Sequence, residues 1–380
     1  MSAGKRRICY VSGTRADFGL MQATLARIQA HAALELSIVV TGMHLSTLHG
    51  NTADDIVAAG LPVSAKVPVD VSDSTGAAMA RNIGKMLAGF VDEFERLKPE
   101  VVLLLGDRGE MLAAALAAIH LNIHVAHIHG GERSGTVDEP VRHAISKLSH
   151  LHFVATDEAR ERLVRMGERA ENVFVTGAPG LDGLHELAGL SKATLCSELG
   201  FDPQQRIGLF MFHPVLQEAA QAGSHARILL QAMLDEGMQV VALMPNSDAG
   251  SEAVRGALEQ FRDHARVRLL THLPRARFVS WMANCDIMVG NSSSGIIEAA
   301  TFGTPVINIG IRQNLRQRNL NVTDTMPEQP SVHAALADAL QKGRYAPMNC
   351  YGDGHAGERI TDYLATLPLT DAILLKCNTY

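Results

Sequence analysis

Short apolar runs rich in β-branched residues alternate with longer helical stretches along most of the chain. RRICYVSG (6–13), ELSIVVTG (35–42), EVVLLLGD (100–107), HVAHIHGG (124–131), LHFVAT (151–156) and NVFVTG (172–177) show almost no polar alternation. Runs of that kind belong to a parallel sheet covered on both faces, where neither side of the strand meets water. The stretches between them read as helices. Thr156 precedes DEARERLVRMG (157–167), so a hydroxyl N-cap, two acids in the first turn and a closing glycine bound one helix.

The pattern restarts at RIGLFMFHP (206–214) and continues through MQVVALMPN (238–246), VRLLTHLP (267–274), CDIMVGN (285–291) and PVINIG (305–310). A second α/β domain is therefore expected. The segment GAPGLDGLHELAGL (177–190) concentrates the local Gly and Pro and is the expected junction. The reading divides the chain into a first domain over 1–178, a second over 179–358 and a tail over 359–380. In open parallel sheets ligands sit beyond the carboxyl ends of the strands, so a substrate is expected in a cleft between the two domains.

Length agrees with this division, because 380 residues exceed one ordinary core and roughly 150 residues per domain suggests two or three units. With 47% hydrophobic and 19% charged residues the composition is that of a globular enzyme, the opposite of a disordered chain. The 34 basic and 40 acidic side chains leave a net charge of −6 with no basic run, which counts against a nucleic-acid partner. Five scattered cysteines without CxxC spacing point to a reducing cytoplasm and to neither a disulfide framework nor a cysteine-based zinc site. No run approaches the roughly 20 apolar residues of a membrane span, and the apolar run behind the basic N-terminal residues is too short for a signal peptide. Neither GxGxxG nor GxxxxGK[ST] occurs, which counts against NAD, FAD and ATP.

The residues just after each strand form a polar set: Arg15 and Asp17, His44, Asp107 and Arg108, His129 and Glu132, His213, Asn246 and Asp248, and 291–294. Any one of them reads equally well as a helix cap or a partner for strand-end carbonyls. The most specific piece is GNSSSGIIEAATFGTPVINIGIRQ (290–313), where a strand ends in a Gly-Asn-Ser-Ser-Ser-Gly turn that opens a helix. Backbone N–H groups, hydroxyls and the helix dipole there suit an anion. Glu298, about a turn and a half into that helix, suits paired ribose hydroxyls, and Arg312 and Arg15 suit a pyrophosphate. A plain serine N-cap flanked by glycines is the competing reading.

HIHGGERSGTVDE (127–139) raises the question of a metal, since His120, His124, His127 and His129 fall within ten residues. His120 and His124 have the helical i, i+4 spacing of zinc ligands, but a strand begins near Ile123 and the pair straddles the break. No metal and no cofactor is expected, and both histidines read as packing or helix-end residues. The alternative is general acid and base chemistry by Asp107, Glu132 and Asp138, carboxylates that burial and mutual repulsion bring toward neutral pKa values. No Ser–His–Asp order or GxSxG elbow supports covalent acyl chemistry.

Taken together, SGTRADFG (12–19), TGMHLSTLHGNT (41–52), LLLGDRGE (103–110), HIHGGERSGTVDEPVRHAISK (127–147), FHPV (212–215), MPNSDAGS (244–251) and the 290–313 stretch resemble the hydrolysing UDP-N-acetylglucosamine 2-epimerases. The matches occur in order and span about residues 7–325. The resemblance implies an α/β fold of GT-B type: two Rossmann-like domains with parallel sheets facing a central cleft, and a C-terminal helix crossing back to the first domain. It implies conversion of UDP-GlcNAc and water to UDP and ManNAc, the first step toward sialic acid. The C2 proton is lost, UDP leaves by anti elimination, and water adds to the 2-acetamidoglucal with inverted C2 configuration.

The same match carries UDP contacts onto Arg15, Arg108, His213, Asn246, Ser292, Ser293, Glu298 and Arg312. It carries the reacting end onto Asp107, Glu132 and Asp138, with His44 and His213 counted beside them, and leaves open which carboxylate is the C2 base. Relatives that release UDP-ManNAc intact carry a glutamate where this chain has His129, which favours hydrolysis. The partner implied is a nucleotide sugar, and the assembly implied is a homodimer or homotetramer. Two competitors remain: the same elimination on a UDP- or GDP-linked 2,4-diacetamido-2,4,6-trideoxy sugar of the legionaminic acid route, and a GT-B glycosyltransferase. A catalytically dead nucleotide-sugar binding protein is disfavoured by the presence of all three carboxylates.

Overall fold

In strand β1 (Arg6–Ser12) every residue from Ile8 to Ser12 is buried, yet successive side chains enter different layers. Ile8 and Tyr10 pack with Met21, Leu25 and Ile28 of the helix Arg15–Ala30. Cys9 and Val11 pack with Met86, Phe90 and Phe94 of the helix Gly76–Leu97. Helices on both faces are why the strand needs no polar alternation. The computed structural model describes residues 4–47, 50–73, 75–134, 138–245 and 250–379.

Contacts divide the chain into two units, the first comprising Met1–Glu132, Val137–Asp182 and Tyr351–Tyr380, the second Arg133–Thr136 and Gly183–Cys350. The first unit adds β2 (Leu34–Thr41), β3 (Val63–Val67), β4 (Val101–Leu105), β5 (His124–Ile128), β6 (Leu151–Val154) and β7 (Val173–Val175). Its sheet runs β3-β2-β1-β4-β5-β6-β7, all parallel. The order reverses between β1 and β4, which is where a doubly wound sheet opens a crevice for ligand at its carboxyl edge.

The helix Ala356–Thr366 belongs to this same unit and packs on Arg15–Ala30. Asp182 caps its first turn, accepting from Ala356 N at 3.0 Å and Gly357 N at 2.6 Å. A β-carbon on Gly357 would lie 2.7 Å from the Thr24 hydroxyl, so glycine permits the close helix approach.

The second unit contains β8 (Ile207–Met211), β9 (Gln239–Leu243), β10 (Val267–Leu270), β11 (Ile287–Gly290), β12 (Val306–Ile309) and β13 (Val322–Thr325). The parallel order is β10-β9-β8-β11-β12-β13, with its reversal between β8 and β11. Phe210, Val240 and Ala242 face the helices Ala222–Asp235 and Ser251–Glu259, while Leu209, Val241 and Met288 face Trp281 and Leu195. Both units are Rossmann-like, which is the α/β class expected.

Two strands escaped the sequence reading, and both lie at a sheet edge. β3 (VSAKV) carries a lysine and is only partly buried, and β13 (VTDT) has no buried residue. Edge strands have one neighbour and more water, so their composition is polar. Among the described residues no helix is long and apolar enough to cross a membrane.

Candidate active site

The turn after β1 is organised by one carboxylate. Thr14, in extended conformation, caps the helix Arg15–Ala30, and Asp17 returns the bond, completing a capping box. Asp17 also accepts from Gly13 N at 3.0 Å, Tyr10 OH at 3.2 Å and the Ser12 hydroxyl. Burial pushes its pKa up, against the pull of nearby His44 and these donors. Because Ser12 gives its proton to Asp17, His44 Nε2 is the donor at 2.8 Å to the Ser12 oxygen. His44 Nδ1 then accepts from the Thr52 hydroxyl at 2.8 Å. His44, expected beside the reacting groups, is thus fully buried beneath the turn with both nitrogens engaged, and burial lowers its pKa. Arg15, the first helical residue, is half-buried, and its pKa falls to about 10 on desolvation.

Across the switch point, Arg108 pairs with Glu110 at 2.8 Å, and Glu110 lies so close to Gly13 that any side chain there would strike it. The absence of a β-carbon at Gly13 lets the β1 and β4 turns touch.

Asp107 follows β4 and is held from two sides. Arg142 Nη2 forms an ion pair with Asp107 Oδ2, and Arg142 Nη1 donates to the Glu132 carbonyl at 3.1 Å. That guanidinium is 1% exposed. On the other side His127 Nε2 donates to the Gly106 carbonyl at 2.7 Å, which leaves Nδ1 to accept from the Ser146 hydroxyl at 3.1 Å. Burial drives the His127 pKa down to about 3, so the ring is neutral and its tautomer is set. Arg142 and Ser146 both lie on the helix Asp138–Leu148, spaced four apart, and Asp138 stands one further turn toward its start. Asp138, Arg142 and Ser146 therefore form one stripe.

His129 ends the same edge in a left-handed conformation, φ +63°, unusual for a side chain of its size. Its Nδ1 meets Glu132 Oε1, and both residues are buried. Asp107 and Glu132 thereby stand just after β4 and β5, linked through Arg142, and Asp138 opens the helix that carries that arginine. Arg142 had no role in the sequence reading. Its available signal was the spacing of four between an acid, an arginine and a serine in DEPVRHAIS (138–146).

In the second unit Asn291 plays the joining part. Its amide brackets His213, accepting from His213 N at 2.8 Å and donating to His213 O at 2.8 Å. Its own carbonyl accepts from Arg312 Nη1 at 3.0 Å and from Gln313 Nε2 at 3.1 Å. Asn291 thus ties together the turns after β8, β11 and β12. Gly290, φ +142°, must be glycine, because a β-carbon would collide with the Met211 carbonyl. Ser292 caps the helix Ser293–Ile297, its hydroxyl 2.8 Å from that of Ser294. Glu298, expected inside this helix, instead closes it, and its carboxylate is paired with Arg275 at 2.5 Å. Arg275 was not foreseen. Asn246 lies outside the described residues.

The second unit offers fixed cations and a serine-capped turn, and the first offers one buried carboxylate, Glu132, and two half-buried ones, Asp107 and Asp138. A family model described as UDP-N-acetylglucosamine 2-epimerase matches residues 26–365. The chain is 50% identical over 375 residues to the UDP-N,N'-diacetylbacillosamine 2-epimerase (hydrolyzing) of Legionella pneumophila, covering 99% of this chain and 100% of that one. It is 33% identical over 352 residues to the UDP-N-acetylglucosamine 2-epimerase of Neisseria meningitidis, covering 92% and 91%. Among solved structures, the UDP-GlcNAc 2-epimerase from Neisseria meningitidis bound to UDP-GlcNAc is similar with a TM-score of 0.80 at 19% identity, over 94% of this chain and 99% of that one. At that identity the likeness is one of fold, the GT-B type.

Proposed function

The chain belongs to the UDP-N-acetylglucosamine 2-epimerase family, and on that premise we propose that it is a hydrolysing 2-epimerase acting on UDP-N,N'-diacetylbacillosamine. The products are UDP and 2,4-diacetamido-2,4,6-trideoxymannose. The observation that carries this reading is the 50% identity over the full length of a relative so named. It moves the substrate from UDP-GlcNAc, the first expectation from sequence, to the 2,4-diacetamido competitor. UDP-GlcNAc stands as the second reading, favoured by the family description and by the Neisseria relative at 33%.

Inverting C2 requires a proton to leave one face of the ring and another to arrive on the opposite face, so two groups must flank it. The carboxylates fit that need. Asp107 has the Arg142 guanidinium beside it, a neighbour that favours the carboxylate form. Glu132 is joined to His129, whose Nδ1 meets its Oε1. Asp138 opens the helix that carries Arg142. Loss of the C2 proton and departure of UDP from C1 give the glycal. Water then bonds to C1 while C2 takes a proton on the other face.

UDP leaves as an anion, so charge growing on its β-phosphate must meet fixed donors. This role is assigned to Ser292, Ser293 and Arg312 and, on the resemblance, to Arg15, Arg108 and Asn246; Asn291 sets His213 and Arg312 in register. Glu298, oriented by Arg275, takes the ribose hydroxyls.

The test is incubation with each nucleotide sugar in D₂O, followed by NMR. Free 2,4-diacetamido-2,4,6-trideoxymannose deuterated at C2, formed faster than ManNAc from UDP-GlcNAc, supports the proposal. Faster turnover of UDP-GlcNAc selects the second reading, and an intact UDP-linked epimer or transfer to an acceptor overturns both.

A further inference from the structure

The segment 370–379 ends a long way in sequence from Asp107, yet it grips the helix that holds that residue's partner. Lys376 Nζ has three donors and uses all of them. It donates to the Ser146 carbonyl at 2.9 Å, to the Ser149 carbonyl, and to Glu168 Oε2 at 2.6 Å. Ser146 lies in the last turn of Asp138–Leu148, where helix carbonyls lack intrahelical partners and a cation is favourable. Glu168, 3% exposed, also receives Lys147 at 2.8 Å and His152 Nε2 at 3.0 Å, so the ammonium is matched by a buried, fully subscribed carboxylate. Thr379 N donates to the Gly167 carbonyl at 2.9 Å, and Lys147 reaches Asn378, which fixes the segment on either side of Lys376.

We propose that Lys376 is a positioning residue for the Asp107–Arg142 pair, acting by clamping the carbonyl end of the helix Asp138–Leu148. Two paths lead from the clamp. Ser146 stands one turn behind Arg142 on the same stripe, so fixing that turn fixes the direction from which the guanidinium reaches Asp107. The Ser146 hydroxyl is also the donor that sets His127, whose Nε2 holds the Gly106 carbonyl just before Asp107. Both routes end on the same carboxylate. A displacement of about 1 Å at a reacting group is enough to cost on the order of a hundredfold in rate.

The inference rests on the proposed role of Asp107 in proton transfer, and its test separates the two. Lys376→Met is compared with the wild-type chain, alone and in an Arg142→Met background, with turnover of the UDP-sugar and hydrogen–deuterium exchange both measured. In the wild-type background kcat falls tenfold or more while UDP binding changes less than twofold. In the Arg142→Met background the same change has a smaller effect, because the route through the guanidinium is already broken and only the one through His127 remains. Exchange quickens over 104–108 and 138–149 and is unchanged over 287–300. An equal loss of kcat in both backgrounds, or unaltered exchange over 104–108, overturns the inference. Glu168→Gln guards against misfolding of Lys376→Met and should quicken exchange in the same two segments. A wild-type chain inert toward both nucleotide sugars defeats the functional reading alone, since the exchange measurement needs no turnover.

Discussion

Replacing Arg142 by Met removes a guanidinium that is 1% exposed and takes its ion pair from the carboxylate of Asp107, itself 21% exposed. It also leaves the Glu132 carbonyl without that donor. Breaking a buried pair by deleting one member costs about 3–5 kcal/mol, chiefly through the charge left behind. Partial exposure of Asp107 places this case near the lower figure, about 3 kcal/mol. Asp107→Asn takes this ion pair from the more deeply buried charge and should cost at least as much. The double variant leaves neither charge, so it should be more stable than the sum of the two losses predicts, with a coupling of about 2 kcal/mol. Urea titration monitored by circular dichroism reads this as midpoint shifts at constant slope. Additive losses within about 0.5 kcal/mol would show that the two side chains do not depend on each other, and the account of how Asp107 is held would fail.

Asp107→Asn and Glu132→Gln should each lower turnover by about 10²–10⁴ while leaving UDP affinity, measured by calorimetry, nearly unchanged; near-normal rates in both would remove these residues from the mechanism. Burial raises the Glu168 carboxyl, but the hydrogen bonds from His152, Lys147 and Lys376 outweigh it and hold the pKa at about 2, below the usual 4.5. The stability this contributes, on the order of 3 kcal/mol, is complete above the unfolded value and drains away as pH falls from about 4.5 toward 2. Glu168→Gln should flatten that part of the acid-unfolding curve, and an unchanged slope would contradict the assignment. Gly290→Ala forces a β-carbon into the Met211 carbonyl at φ +142°, so UDP binding by the second unit should be lost; retained affinity would refute the close approach.

The parallel sheets were legible because central strands such as VVLLL (101–105) and IGLFM (207–211) are apolar on both faces, and helices cover both. VSAKV and VTDT were not, since an edge strand keeps polar groups toward water. Of the site, the carboxylates and the serine turn could be read from their place after strands. The supports could not. Arg142 looks like any arginine on an amphipathic helix until its stripe is seen to face Asp107, and Lys376 touches Glu168 across more than two hundred residues of chain. His44 shows the same limit: its place after a strand could be read, but its partners Ser12 and Thr52 could not. Glu298 suits ribose hydroxyls from its place in the sequence, but only the folded chain brings Arg275 to it.

In the proposed reaction C2 of a UDP-linked 2-acetamido sugar exchanges its proton with solvent as the nucleotide leaves. Turnover of UDP-N,N'-diacetylbacillosamine in D₂O, watched by NMR, tests it most directly. The expected products are UDP and the free manno-configured sugar carrying one deuterium at C2. Product that retains the original proton at C2, or that remains attached to UDP, would contradict it.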